Sequence, residues 1–226
     1  ELKARFDEDN NIQWAKQLEQ AGIHVVYGII GFKTHTKIAL IVRKEKGRLR
    51  NYFHIGTGNY NSNTSKFYTD LGLLSTDPEI ASDLLELFNY LSGFSKQKSY
   101  QKLLVSPSSM RKKFIFLIKR EIKNAEEGKK AEIIAKMNSL VDPEIINLLY
   151  LASDSGVKIS LIVRGICCLY PQRKNLSENI KVKSIIGHFL EHSRIFWFCN
   201  NGDNEVFIGS ADWMRRNLDR RIEAVT

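Results

Sequence analysis

Cysteine is scarce in this chain, and long apolar runs are missing from it. The 226 residues include only three cysteines, Cys167, Cys168 and Cys199. So few, and an odd number, argue against a disulfide framework or a zinc site and are typical of reduced thiols. No apolar run reaches the roughly 18 residues that a helix needs to cross a bilayer, and no signal-peptide pattern opens the sequence. The sequence therefore predicts no transmembrane segment.

Acidic residues are outnumbered by basic ones. Lysine and arginine number 34 against 25 for aspartate and glutamate, which gives a formal net charge of +9. Such an excess favours polyanionic partners, namely nucleic acid, acidic lipid, nucleotide or polyphosphate. A generic basic surface explains the charge equally well, so composition alone does not choose a function. The length allows one large domain or two small ones.

Two short stretches of the chain are near copies of one another. The copies are His35-x-Lys37 with the turn Ile-Gly-Thr-Gly-Asn at 55–59, and His192-x-Arg194 with the turn Ile-Gly-Ser-Ala-Asp at 208–212. A lone histidine on a strand is usually structural, and a lone glycine turn is usually only a turn. Because both features occur twice at similar spacing, we interpret them as two half-sites that meet at one active centre.

The surrounding pattern also repeats, and it alternates helices with strands. The first half predicts a helix from Asp7 to Gly22 and a strand at 23–27. The second half predicts a strand at 133–137, a helix opened by Asp142-Pro143 and ended by Gly156, and a strand at 157–163. An aspartate cap followed by proline is a good start signal for a helix. The prediction is an α/β fold of two similar domains, each a mixed sheet flanked by helices.

The middle of the chain supplies a domain boundary. Asp77-Pro78 opens another helix, and 106–109 reads as a linker. We therefore predict a first domain at 1–105, truncated at its start, and a second at 106–226, truncated at its end, as expected of a fragment of a longer enzyme. A basic amphipathic helix follows from about 110 to 124, and its charge fits either a solvated face or a polyanion surface.

The paired motifs have the chemistry to handle a phosphoryl group. His35 and Lys37 point to the same side because side chains alternate along a strand. Lys37 would neutralise phosphate oxygens, Arg194 could bind them bidentately, and glycine turns let backbone N–H groups approach an anion. A neutral imidazole can attack phosphorus, and the second histidine, His192, could protonate the leaving oxygen. His54, just before the first turn, could be supporting or catalytic.

The motif pair resembles the phospholipase D superfamily, although Val42 stands where that superfamily has its hallmark aspartate. That departure disfavours an ordinary lipase or nuclease. The longer string is similar to the polyphosphate kinases of the histidine-phosphorylating bacterial type, and the resemblance covers essentially the whole chain. The stretches that carry it are LKARFDE at 2–8, YFHIGTGNYN at 52–61, FYTD at 67–70, LIVRGIC at 161–167 and SADWM at 210–214.

This resemblance implies reversible transfer of the terminal phosphate of ATP to polyphosphate through a phosphohistidine. It implies that His35 is the nucleophile and that His192 has an acid–base and phosphate-contact role. Tyr68 and Arg164 match positions that bind ATP. Arg5 matches a position of the magnesium–phosphate assembly, where a guanidinium would contact metal-bound phosphates rather than the metal. His54 matches a histidine of the active-site region.

The resemblance also implies partners and a location. ATP or ADP and inorganic polyphosphate are the implied substrates, with Mg²⁺ arriving on the nucleotide. Amino-terminal domains of the same chain would supply further nucleotide contacts and much of a homo-oligomer interface. The implied location is cytoplasmic, or peripheral at the inner membrane, and we expect the isolated fragment to be inactive.

Two other functions remain open from the sequence. One is a phospholipase D-type phosphodiesterase acting on nucleic acid or lipid, which would use His35 and His192 without ATP. Against it stand the missing aspartate and the arginine in place of the second lysine. The other is a non-catalytic polyanion-binding module, which would keep its binding without His35 and would never be phosphorylated.

Overall fold

The computed structural model describes residues 8–95 and 99–226. Within them lie five α-helices: α1 (Glu8–Gln20), α2 (Pro78–Leu91), α3 (Met110–Glu126), α4 (Pro143–Asp154) and α5 (Arg215–Asp219). The strands of the first half are β1 (Lys33–Thr34), β2 (Ile38–Glu45), β3 (Arg48–Gly56), β4 (Tyr68–Thr69), β5 (Gly72–Ser75) and β6 (Leu104–Ser106). Those of the second half are β7 (Glu132–Met137), β8 (Lys158–Val163), β9 (Ile180–Lys183), β10 (Leu190–Glu191), β11 (Ile195–Phe198), β12 (Glu205–Ile208) and β13 (Arg221–Val225).

The second half is built on a five-stranded mixed sheet. Its strand order is β12-β11-β7-β8-β9, with β7, β8 and β9 parallel and the two other pairings antiparallel. Helices α3 and α4 pack beside it, and the core includes the stacked rings of Phe196 and Trp213, with Phe114 tilted against Phe196. The predicted strands at 133–137 and 157–163 and the predicted helices in this half are confirmed.

The first half has an antiparallel sheet of three strands in the order β2-β3-β5. Phe53 and Ile55 of β3 pack with Leu84 and Leu87 of α2. The strand predicted at 23–27 is wrong, since this stretch has no regular secondary structure. Its apolar residues favour a strand, but a strand also needs a ladder partner, and none pairs with it in the described ranges.

The last strand of the chain joins the two halves. β13 lies between β1, which it pairs in parallel, and β6, which it pairs antiparallel. Ile222 and Ala224 of β13 are buried in the core of the first half. A second cross-link is the short parallel pair of β4 with β10. The predicted boundary after residue 105 stays a prediction, and β6 runs across it.

Matched aspartate caps open α2 and α4. Asp77 accepts hydrogen bonds from the backbone N–H groups of Glu79 and Ile80, and Asp142 accepts one from Ile145. Asp142 also receives both terminal nitrogens of Arg111 at 3.0 and 2.6 Å. The three cysteines are free. Within 8–95 and 99–226, no helix has the length and apolar character to cross a membrane.

Candidate active site

The duplicated motifs meet where strands of both halves end. His35 follows β1 and donates its backbone N–H to Ile222 of β13 at 2.8 Å. His192 follows β10 and donates its backbone N–H to Thr69 of β4. Arg194 reaches across from the second half, with Nη1 placed 3.4 Å from the carbonyl oxygen of Thr57. The predicted convergence of the two half-sites is therefore what the geometry shows.

Each histidine is oriented by a carboxylate from the opposite half. His35 Nδ1–H donates to Glu223 Oε2 at 2.9 Å, and His192 Nδ1–H donates to Asp70 Oδ1 at 2.8 Å. A carboxylate on Nδ1 fixes the neutral tautomer that leaves the Nε2 lone pair free. His35 is thus set to act through Nε2 as a nucleophile or a base. The Nε2 atom of His192 instead accepts a hydrogen bond from Arg194 Nη1 at 3.0 Å.

Each carboxylate is in turn held by the glycine turn of its own half. Thr57 Oγ1 donates to Asp70 Oδ1 at 2.6 Å, and Ser210 Oγ donates to Glu223 Oε2. Both donor–acceptor pairs are 13 residues apart in the chain. The sequence prediction missed Asp70 and Glu223 as site residues, although this equal offset was a signal that could have revealed them.

Two buried cations stand beside the histidines. Lys37 and Arg194 are each only 4% exposed. Lys37 Nζ donates to the carbonyl of His35, while Arg194 donates to the carbonyl of His192 at 2.8 Å and pairs with Asp212 at 3.2 Å. Arg194 Nη1 also lies 3.0 Å from His192 Nε2. Cations confined in this way favour a ligand that carries several negative charges.

Burial sets the protonation states of the centre. It lowers the pKa of His35 and of His192, and their carboxylate partners offset this only in part. Burial also lowers the pKa of Lys37 to about 7, with Arg194 adding to the effect. For Asp70, burial alone would raise the pKa, but hydrogen bonds from His192 and Thr57 outweigh it and the pKa is lowered. At neutral pH the free site therefore holds two neutral imidazoles and an ionised Asp70.

The glycines of the turns serve close packing, and they do not all present their backbone N–H groups to an anion. The N–H of Gly56 donates to Lys37 at 2.9 Å, so the prediction that it would approach an anion is wrong for this residue. A Cβ on Gly58 would collide with the Asp70 carboxylate, and one on Gly209 would collide with the backbone of β13. These two glycines let the elements that bear the carboxylates come close to the turns.

Tyr68 and Arg164, the predicted nucleotide contacts, both connect to His192. The Tyr68 ring lies 4.8 Å from the His192 ring at an angle of 46°. Arg164 Nε donates to Asn138 Oδ1 at 2.8 Å, and Asn138 Nδ2 donates to the carbonyl of His192 at 3.3 Å. Asn138 was not predicted, and it ties the arginine to the histidine.

Two further predicted residues stand apart from this network. His54 makes its side-chain hydrogen bond to the Tyr60 hydroxyl, at 2.6 Å. Its ring lies over Gly56, where a Cβ would be 2.9 Å from His54 Cε1. Arg5 lies outside the described residues. Val42, at the position of the absent hallmark aspartate, is half-exposed in the middle of β2 and belongs to no part of the centre.

The residues of the centre do not make a ready metal cage. In the described part of the chain, no group of three or more histidine, cysteine or acidic side chains is arranged to hold a metal ion. Asp70, Glu223 and Asp212 already bind a histidine or an arginine. The donors within residues 8–95 and 99–226 thus do not fit a resident magnesium ion.

The fold and the site define an α/β protein whose two similar halves share one histidine centre. The chain belongs to the polyphosphate kinase family, because the family models of C-terminal domain 1 and C-terminal domain 2 match residues 1–97 and 103–226.

Similarity to individual relatives extends over the whole chain. It is 69% identical to the polyphosphate kinase of Parasynechococcus marenigrum and 68% identical to that of Prochlorococcus marinus, each over 226 residues. Both alignments cover 100% of this chain and 32% of the relative, so the chain spans about a third of the length of these curated relatives. The crystal structure of polyphosphate kinase from Porphyromonas gingivalis matches with a TM-score of 0.88 and 42% identity, over 99% of this chain and 36% of that one. The predicted family and α/β fold are confirmed.

Proposed function

We propose that the complete protein reversibly transfers the terminal phosphate of ATP to polyphosphate, with His35 as the phosphate carrier. The observation that carries this proposal is the crosswise orientation of the two histidines beside the buried side chains of Lys37 and Arg194. His35 is prepared to attack phosphorus through Nε2, and His192 would assist the departing oxygen together with Arg194, which donates to its Nε2. The names of the relatives agree with this reaction.

In the first step, the Nε2 lone pair of His35 attacks the γ-phosphorus of ATP. The N–P bond forms as the bond from that phosphorus to the bridging oxygen breaks, and ADP leaves with the electron pair. Glu223 holds the Nδ1 proton and stabilises the positive charge that develops on the ring. Lys37 and Arg194 offset the charge on the transferred group.

In the second step, a terminal oxygen of polyphosphate attacks the phosphorus held by His35. The N–P bond breaks, its electron pair returns to Nε2, and the polyphosphate is longer by one unit. The acid role of His192 belongs to the first step, where it would protonate the bridging oxygen that leaves with ADP. The pKa of His192 is lowered in the free site, and an arriving polyanion raises it towards the protonated, donating form.

Magnesium enters this proposal only with the nucleotide. Since the donors of the described residues do not form a cage, the ion would be bound by phosphate oxygens and would supply charge neutralisation there. Every step above is assigned to side chains of this chain and requires no protein ligand to the metal.

The test is to label the complete protein with ATP carrying a labelled γ-phosphate. We expect protein-bound label that is lost in acid and survives base, as a phosphohistidine should. The His35→Ala variant should lose the label, while His188→Ala, at an exposed loop histidine, should keep it. An unlabelled parent with intact ATP would reject the proposal and direct attention to phosphodiester substrates.

The isolated chain should behave differently from the complete protein. Because it spans about a third of its relatives, we expect it to synthesise little or no polyphosphate. Synthesis at the rate of the complete protein would show that the remaining two-thirds of the relatives' length is dispensable for the reaction.

A further inference from the structure

A strongly basic hairpin extends from the active centre. Strands β2 and β3 are joined by Lys46 and Gly47, whose positive φ angles of 49° and 80° make a tight turn. Between residues 43 and 50 the hairpin carries five cations and a single acid. The cations are Arg43, Lys44, Lys46, Arg48 and Arg50, and all five are exposed. The proposed reaction makes no use of them.

One face of this hairpin is continuous with the centre. In the ladder, Ala39 is opposite His54, and Arg43 is opposite Arg50. The hydrogen bond from Gly56 to Lys37 extends the same ladder to the active site. Because side chains alternate along a strand, Lys37 and Arg43 lie on one face, about 20 Å apart along it.

His54 lies on this face between the centre and the basic part of the hairpin. Its ring covers Gly56 of the glycine turn, and it hydrogen-bonds Tyr60 rather than either central histidine. Further along β3 follow Tyr52 and Arg50 on the same side. A long anion leaving the centre would pass these residues in turn.

The single acid of the hairpin binds its cations only loosely. Arg43 lies 3.5 Å from Glu45 and Arg50 lies 4.0 Å from it, and both arginines are exposed. Exposed pairs of this kind contribute little free energy. The cations are therefore gathered around one carboxylate but remain available to a polyanion of higher charge.

We propose that this face of the β2–β3 hairpin, from His54 to Arg48, binds the part of the polyphosphate chain that lies outside the active centre. This proposal rests on the proposed function, because the bound polymer is the polyphosphate that the active centre would lengthen. Polyphosphate fits better than single-stranded nucleic acid, which needs exposed aromatic rings on which bases stack. The Tyr52 ring is covered by Arg50 at 5.3 Å, and its hydroxyl binds Glu45 at 3.0 Å.

The test compares long-chain polyphosphate with tripolyphosphate in direct binding to the complete protein. The triple variant Arg43→Gln, Arg48→Gln and Arg50→Gln should weaken binding of the long chain by about tenfold, as expected for three exposed charge contacts. Tripolyphosphate is too short to reach the hairpin from the centre, so the ratio of the two dissociation constants should fall. The Glu45→Gln variant should tighten long-chain binding, because it removes the competing carboxylate.

A matched control removes three exposed lysines elsewhere. The control triple variant carries Lys112→Gln, Lys119→Gln and Lys174→Gln. It changes the net charge by the same amount and should leave the ratio of the two dissociation constants as in the parent. An equal loss in both triple variants would overturn the proposal, because it would reveal only a general charge effect. So would an equal loss for long and short chains.

Two more measurements distinguish a failure of the binding proposal from a failure of the proposed reaction. Histidine labelling by ATP reports on the proposed function, whereas binding of polyphosphate does not require turnover. If the parent is never labelled but binds long chains through the hairpin, the proposed reaction is wrong and the proposed binding face is supported. If the hairpin variant lost only its sedimentation with anionic vesicles, the face would be a lipid surface and the proposal would be wrong.

Discussion

At the scale of single residues, the most informative feature is that Glu223 binds the Nδ1 side of His35, away from the Nε2 atom proposed to attack phosphorus. Glu223→Gln keeps the size of the side chain but removes the charge that fixes the tautomer. We expect histidine labelling by ATP to fall by up to about 10⁴-fold, the loss seen when an orienting carboxylate of a serine-protease triad becomes an amide. The measurement is the initial rate of label incorporation.

Glu79→Gln is the matched control for that variant. Glu79 is half-exposed and pairs with Lys102 across the surface at 3.2 Å. Its loss should leave labelling as in the parent. If Glu223→Gln labelled as fast as this control, the orienting role of the carboxylate would have to be abandoned.

Lys37 makes a second residue-scale prediction, about stability and pH. Burial lowers its pKa to about 7 in the folded chain, against about 10.4 when unfolded. Between these values the unfolded chain binds more protons, so the contribution of Lys37 to stability rises with pH by up to about 1.4 kcal/mol per unit. Below pH 7 the lysine is charged in both states, and the full cost of burying its charge is present.

The Lys37→Met variant isolates this contribution. We expect it to be more stable than the parent at pH 6, with the difference shrinking as the pH approaches 10. Denaturant unfolding of both proteins at three pH values measures it. A difference that stays constant with pH would show that Lys37 is not buried as a titrating amine.

At the scale of secondary-structure elements, the two aspartate caps permit a paired experiment. Asp77→Ala removes a cap from α2 and should cost about 1 kcal/mol of unfolding free energy. Asp142→Ala removes the equivalent cap from α4 and also breaks a largely buried ion pair with Arg111. We expect it to cost about 2 to 3 kcal/mol, because Arg111 retains Asp219 and Glu144 as partners.

Urea unfolding of the two variants tests the difference. Equal costs would mean that the Arg111 pair adds nothing beyond the cap. A larger loss for Asp77→Ala would show that α2, rather than α4, depends on its first turn.

The elements also show how far sequence can predict this fold. Helix α4 was predictable because its cap, its apolar stripe and its terminal glycine are all local signals. The strand predicted at 23–27 has equally suitable residues but no partner among the described strands. Strand pairing depends on tertiary structure, so local sequence does not predict it. The histidine pair was found through duplication, whereas Asp70 and Glu223 were missed because each one serves the histidine of the other half.

At the scale of the whole molecule, the last strand makes the first half depend on the end of the chain. Ile222 is fully buried in the core of the first half. Ile222→Ala should lower the unfolding free energy by about 3 kcal/mol. Amide exchange should accelerate in β3 and α2 more than in β7 and β8, because the missing contacts are in the first half.

Ile186→Ala is the control on the same scale. Ile186 is 94% exposed, so its truncation should change stability by less than about 0.5 kcal/mol. Faster exchange confined to β7 and β8 in Ile222→Ala would contradict the placement of β13 in the first-half core.

The crosswise carboxylates restrict how such a molecule can evolve. A duplicated unit normally gains freedom, since one copy can accumulate changes while the other keeps working. Here a change at Asp70 would remove the hydrogen-bond partner of the histidine in the other copy, and a change at Glu223 would do the same in reverse. Neither copy can decay alone or be lost, so natural selection acts on both as a single unit.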